Sequence, residues 1–383
     1  MPVGHGVTLT VGLDALAANY RTFQSVACGA EVAGVVKADA YGCGVAGTVP
    51  TLTNMGCRTF FVAHLDEGIA LRQHVRHGAI YVLNGLLPGT EAVYSTYHLR
   101  PVITSQHQLY AWSRCCRKNG WRGGAALHID TGMNRLGFRL EEVAGIAELS
   151  VSDLACFDLV LSHLACGDEP ENPRNAEQLA RFTWARRLLS CVPRASLAAS
   201  AGCYLGVQAH FDLVRPGIGL FGGNPFATRR NPLQPVLRAS APLLQVKRHA
   251  AGDFVGYGCD CRLDRDTLIG AVSLGYADGL PRSASSAPVT LYYGGLPIRA
   301  MGRISMDMTL VDLTSVRHLE PRVGTQVEIF GSSRDLNHFA GSIGTIANEV
   351  LTSLGRRARR VYEHPLSCPI HDNNPAVPVA QAS

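Results

Sequence analysis

AGVVKADAYG, residues 33–42, runs from a β-branched apolar stretch into a lysine and then into small, turn-favouring residues. A strand buried on both faces reads as a continuous apolar run, and a charge at its end costs desolvation energy unless something compensates it. The residues alone leave two readings of Lys37 open. It is either an ammonium snorkelling to water on its aliphatic stem, or an amine held in a water-poor pocket with a lowered pKa, ready for Schiff-base chemistry.

AGVVK (33–37) is the first of eight short apolar runs. The others are TFFVA (59–63), AIYVL (79–83), RPVIT (100–104), AALHID (125–130), FDLVLSH (157–163), ASLAAS (195–200) and FDLVR (211–215). Amphipathic stretches such as LDEGIALRQHVRHG (65–78) and NAEQLARFTWARRLLS (175–190) alternate with them, the pattern of parallel βα units. Eight units in one domain predict an α/β fold with an N-terminal (β/α)₈ TIM-like barrel over residues 1–235. VTLTV (7–11) precedes it as a strand that can pack with the second domain, followed by a helix face of Leu13, Leu16, Tyr20 and Phe23.

NPLQP (231–235) reads as the junction. Beyond it LLQVK, TLIGAVSLG, VTLYYG, MTLVDL and TQVEIF alternate at close spacing between glycine turns, which predicts a mainly antiparallel β domain over 236–365. FAGSIGTIANEVLTSLG (339–355) reads as one helix, and 366–383 as a flexible tail.

Composition narrows the function classes. The chain has 383 residues, 46% of them hydrophobic and 17% charged, enough for two full cores. A net charge of +5 without a dense basic stripe argues against nucleic acid as a partner. No stretch reaches the roughly 18 apolar residues of a membrane span, and MPVGHGVTLTVGL lacks the features of a signal peptide, so no membrane association and a cytoplasmic location are expected. Twelve cysteines with neither a CxxC pair nor an HExxH helix read as reduced core residues, and no metal site is expected.

Barrel enzymes work at the C-terminal ends of their strands. There this chain places Lys37, then Asp130 and Arg135 in DTGMNRLGF, then His163, Ser200 and Arg215. The loops after strands seven and eight, ASAGC and RPGIGLFG, carry Ser200, Gly217 and Gly219, small residues and a hydroxyl suited to a phosphate. A lysine at the first strand end and a phosphate site across the mouth together suit pyridoxal 5'-phosphate.

VVKADAYG, DTGMNRLGF, SHLACGDEP, RPGIGLFG, VGYG, GYADG and GRISMD, in that order across both domains, resemble the bacterial alanine racemases, a fold-type III pyridoxal-phosphate family. The resemblance implies two-base racemisation of L- and D-alanine, supplying D-alanine for peptidoglycan, in a homodimer with shared active sites. Lys37 is then the cofactor-bound lysine and one catalytic base, and Tyr257 of the partner chain the other. Tyr41, His163, Ser200, Arg215, Gly217 and Ile218 are implied in cofactor binding, and Arg135, Tyr276, Met306 and Asp307 in substrate binding. By residue type alone, Tyr276 and Met306 read equally as packing residues and Asp307 as a turn residue. A free phenol loses its proton only near pH 10, so Tyr257 is expected to need cationic neighbours, with His163 and Arg215 as candidates.

The chain departs from the family pattern at three places: His128 where many members carry a carbamylated lysine, Ala199 in place of an asparagine, and Gly355 in place of a tyrosine. Other readings are a cofactor-binding barrel without turnover, against which the second domain and Tyr257 stand, and an amino-acid decarboxylase, which would place an acid where Arg215 stands. A racemase of serine or of broader choice is the nearest rival, because a pocket wall changes specificity by only about 1–3 kcal/mol per methylene.

Overall fold

Seven strands pair in parallel and in sequence order: β3 (Gly34–Val35), β4 (Thr59–Val62), β5 (Ala79–Val82), β6 (Arg100–Ile103), β7 (Ala126–His128), β8 (Leu159–Leu161) and β9 (Arg194–Ser196). The eighth, β10 (Leu213–Val214), pairs in parallel with β2 (Glu31–Val32), the start of the first run. Its other edge reaches β9: Arg215 N–H donates to Ala198 O at 2.8 Å, and Asp212 N–H to Ala195 O at 3.1 Å. The eight runs therefore close into a barrel. The coordinates are those of a computed structural model that describes residues 6–363, apart from 288 and 356; the expected tail at 366–383 lies outside the described residues.

Strands such as Thr59–Val62 and Ala79–Val82 are buried along their whole length, as cover by helices outside and a packed barrel interior inside require. At the N-terminal end of the barrel Arg100 pairs with Asp158 and Arg194 with Glu31, and Tyr81 donates to Asp158 at 2.9 Å.

β1 (Thr8–Gly12) belongs to the other domain's sheet, antiparallel to β11 (Leu237–His249) and parallel to β19 (Arg359–Glu363). That sheet is completed by β14 (Thr267–Val272), β15 (Thr290–Tyr293), β16 (Leu296–Met301), β17 (Thr309–Asp312) and β18 (Gln326–Phe330), paired antiparallel. A small ribbon of β12 (Phe254–Val255) and β13 (Cys261–Arg262) projects from it. The helix Leu13–Val26 buries Leu13, Leu16, Tyr20 and Phe23, the face its spacing predicts. Its buried Asn19 side chain accepts from Gln234 N–H at 2.8 Å and donates to Gln234 O at 2.9 Å, fastening the NPLQP segment.

The stretch 339–355, read as one helix, is two: Leu336–Ser342 and Ala347–Ser353. Gly344 between them has φ +77°, a left-handed conformation that ends the first helix.

The turn after β3 departs furthest from sequence expectation. Ala38, Asp39, Ala40 and Tyr41 all hold φ between 53° and 55°, a full left-handed turn made without glycine. Each such residue costs roughly 1–2 kcal/mol, so the surrounding bonds must over-determine it. Ala40 N–H donates to Val36 O at 2.9 Å, Gly42 N–H to Ala38 O at 2.8 Å, and Val45 N–H to Asp39 Oδ1 at 2.8 Å. Glu67 then ties the turn to the second strand end, accepting from Ala38 N–H at 2.6 Å and from Ala63 N–H at 2.7 Å.

Because Ala38 is exposed, it isolates the backbone effect from packing. Ala38→Val should be about 1–2 kcal/mol less stable than Ala38→Gly, measured by chemical denaturation of the two variants side by side. Equal stabilities would mean that the left-handed turn carries no strain.

Candidate active site

A cavity of about 1010 Å³ opens at the C-terminal mouth of the barrel. Lys37, Tyr41, Arg135, His163, Ser200 and Arg215 line it, each from a different strand end or the loop beyond it, except that Lys37 and Tyr41 share the left-handed turn. Gly217, Ile218, His128 and Ala199 line it as well. The helices Leu336–Ser342 and Ala347–Ser353 of the second domain cover one side through Asn337, Gly341 and Ile346.

Cations dominate this cavity. Arg215 is 4% exposed and has no carboxylate among its described partners: its guanidinium meets Ser196 Oγ, donates to Ser162 O at 2.6 Å and lies 5.8 Å over the Phe61 ring. Burial lowers its pKa to about 10, so it keeps its proton at neutral pH. Burial also lowers the Lys37 ammonium below its ordinary range; Arg135 pushes the same way and Glu67 opposes.

These charges correct one expectation. By residue type His163 is one of two candidate cationic neighbours for the Tyr257 phenol. Burial, reinforced by Arg215, Arg135, His128 and Lys37, instead pushes it down to about 3, leaving a neutral imidazole. Burial and Arg215 likewise push His128 down to about 4, against the opposing pull of Asp130.

The phosphate-like corner is built around Ser200 and Gly217. The amides of Gly217 and Gly219, expected to face an anion, both donate to Ser200 Oγ, at 2.9 and 3.2 Å. That leaves the hydroxyl proton of Ser200 as the donor to a ligand. A Cβ at Gly217 would come within 2.2 Å of the Tyr41 hydroxyl, so glycine is required for that tyrosine to reach the loop. Burial raises the pKa of Tyr41, and the Ile218 backbone bonds its hydroxyl.

Asp130 organises the Arg135 loop: its Oδ1 accepts from the amides of Gly132, Met133 and Asn134 at 2.9, 3.0 and 3.1 Å. Glu67, Ser162 and Ser196 support Lys37 and Arg215 and went unread in the sequence. A Glu three residues into a helix signals a cap, whereas two serines inside apolar strands carry no signal at all.

Tyr257, Tyr276, Met306 and Asp307 do not line the cavity of their own chain. They converge on one face of the second domain. Gly258 sits where a Cβ would strike the Arg303 guanidinium at 2.8 Å, and Ala277 N–H donates to Met306 O at 3.0 Å, so VGYG and GYADG both dock against GRISMD. On that face Tyr257 is 68%, Met306 52% and Tyr276 40% exposed. Asp307 is ion-paired with Arg357 at 2.7 Å, and Arg357 also meets the buried Asp278 at 3.2 Å. Gly355 lies beside Ala277 O, outside the cavity lining.

Residues 11–225 match the family described as alanine racemase, N-terminal domain, and residues 236–362 its C-terminal domain. The alanine racemase of Methylobacterium nodulans is 43% identical over 358 residues, 94% of this chain and 96% of that protein. A crystal structure of alanine racemase from Bartonella henselae with covalently bound pyridoxal phosphate superposes with a TM-score of 0.86 at 35% identity, covering 94% of this chain and 99% of that one. The biosynthetic alanine racemase of Pseudomonas aeruginosa gives 0.82 at 32% identity, covering 94% and 100%.

The two neutral imidazoles make stability depend on pH with a definite sign. Their folded values, about 3 and about 4, lie below the ordinary histidine value, so the unfolded chain takes up protons first on acidification. Their contribution is complete above about pH 6.5 and falls as pH drops through that window, by about 2 kcal/mol each at about pH 5. Thermal melting of the cofactor-free protein should therefore decline with acid more steeply in the wild type than in His128→Gln/His163→Gln. Parallel declines would show that these imidazoles are charged in the folded state.

Proposed function

The chain belongs to the alanine racemase family, and from that premise we propose that it interconverts L- and D-alanine with pyridoxal 5'-phosphate as cofactor. The observation that carries the reading is the buried Arg215 guanidinium with no described carboxylate partner, a costly charge to hold unless a ligand uses it. The residues present fit the cofactor. Lys37 supplies an amine of lowered pKa, Tyr41, Ser200, Gly217 and Ile218 form a corner that accepts a phosphate, and Arg215 offers N–H donors to a ring nitrogen.

Pyridoxal phosphate, when bound, supplies the electron sink that makes the α-hydrogen of alanine acidic. Arg215 keeps its own proton and so leaves the ring nitrogen unprotonated, which weakens the sink and favours return of a proton to Cα over transfer of the amino group. Arg135 binds the substrate carboxylate. His163 lines the cavity that would hold the cofactor, and as a neutral imidazole it could not serve there as a cation.

Inversion requires two bases on opposite faces. Tyr257 removes the α-proton of L-alanine and Lys37 returns one to the other face; for D-alanine the roles reverse. Tyr257 lies exposed, outside its own chain's cavity, which supports a homodimer in which each chain offers Tyr257, Tyr276, Met306 and Asp307 to its partner's cavity. In the cytoplasm this activity supplies D-alanine for peptidoglycan.

Borohydride reduction of the cofactor-loaded protein should fix the label to Lys37, read by peptide mapping; a label on another lysine refutes the assignment. Tyr257→Phe should slow deuterium exchange from L-alanine by at least about a hundredfold and much less from D-alanine, whereas Lys37→Ala abolishes both. Equal, mild losses for the two enantiomers would contradict the two-base scheme. Deletion of the gene should make growth depend on D-alanine, and growth without it would contradict the biosynthetic role.

A further inference from the structure

Gln178 stands on the outer helix Pro173–Leu188, yet it is 2% exposed and every hydrogen-bonding group of its amide is used. Its Oε1 accepts from Ala165 N–H at 2.8 Å. Its Nε2 donates to Thr131 Oγ1 and to His163 O, each at 3.0 Å. One side chain thus fastens the loop after β7, which carries Arg135, to the loop after β8, which carries His163. Thr131 Oγ1 in turn shares a 2.8 Å bond with Ser162 Oγ, and Ser162 O accepts from Arg215 Nη2 at 2.6 Å. Arg181, one turn along the same helix, adds a bond from Nη1 to Thr131 O at 3.0 Å.

The chain from Gln178 through Thr131 and Ser162 ends on the guanidinium that has no carboxylate partner among the described residues. Among the described residues Arg215 is aimed by neutral groups, Ser196 Oγ and backbone carbonyls, and the carbonyl at 2.6 Å belongs to the residue this relay grips. We infer that Gln178 is a positioning residue for the racemisation, acting through Thr131 and Ser162 to hold Arg215 against the cofactor ring and to keep the two loops in register. The inference rests on the role of Arg215 proposed above.

Gln178→Glu keeps the size and the acceptor but replaces the amide donors, and Thr131→Val removes the middle hydroxyl while leaving Gln178 in place. Both variants should lower kcat about tenfold with KM for alanine within about twofold, and weaken pyridoxal phosphate binding to the cofactor-free protein by a similar factor. They should also pass the amino group of alanine to the cofactor more often, each such event releasing one pyruvate and leaving one pyridoxamine phosphate, because a displaced Arg215 no longer keeps the ring nitrogen unprotonated. Thr131→Ser, which retains the hydroxyl, should restore all three quantities. If Gln178→Glu does not fold, Thr131→Val and its serine rescue decide the matter. Variants that only melt earlier, with kcat, pyruvate ratio and cofactor affinity unchanged, would overturn the positioning role. A wild-type protein that fails to racemise alanine or to label at Lys37 would instead refute the reading beneath it.

Discussion

Electrostatic crowding at the barrel mouth governs this molecule. Lys37, Arg135 and Arg215 converge on one cavity, and burial together with these charges keeps the two histidines beside them neutral. Desolvation favours loss of charge from every base, but the groups yield in order of their ordinary affinity for protons. The imidazoles give up their charge, the ammonium is pushed downward, and the guanidinium holds its proton. Arg215 is left as a permanent buried cation in the barrel mouth. Its price in stability is met by neutral oxygens, Ser196 Oγ and Ser162 O, which solvate the guanidinium without cancelling it.

Positioning the lysine is a backbone problem. Four non-glycine residues in left-handed geometry turn the chain immediately after Lys37 and bring Tyr41 back toward Gly217. The strain is held by Glu67 on one side and by Asp39 on the other, so the element that bears the amine is also tied to the neighbouring strand end. Lys37 therefore depends on a carboxylate thirty positions along the chain for its placement as well as for the partial relief of its lowered pKa.

Much of this was legible in the residues. Eight apolar runs alternating with amphipathic stretches forecast eight strands, because a parallel strand covered on both faces has no polar side to show. The helix face from Leu13 to Phe23 was equally plain. Ser162 and Ser196 were not, since a hydroxyl inside an apolar run looks like any tolerated small residue until its partner is known. Nor was the break at Gly344 readable, because glycine is permitted in a helix and only its positive φ ends one. His163, a candidate cation by residue type, is neutral for a related reason: its charge is set first by burial in the folded barrel and then by basic groups distant in sequence.

The order of the motifs, the alternation of strands and helices, and the residue types at the strand ends are properties of the sequence alone. From them came the barrel, the second domain and the family. Which groups share a cavity, which imidazoles are neutral, and the separation of Tyr257 from the Lys37 of its own chain were decided by tertiary structure. The reason is physical: local pattern reports the period of burial along one element, whereas charge state and reach depend on distances between elements that sequence spacing does not encode.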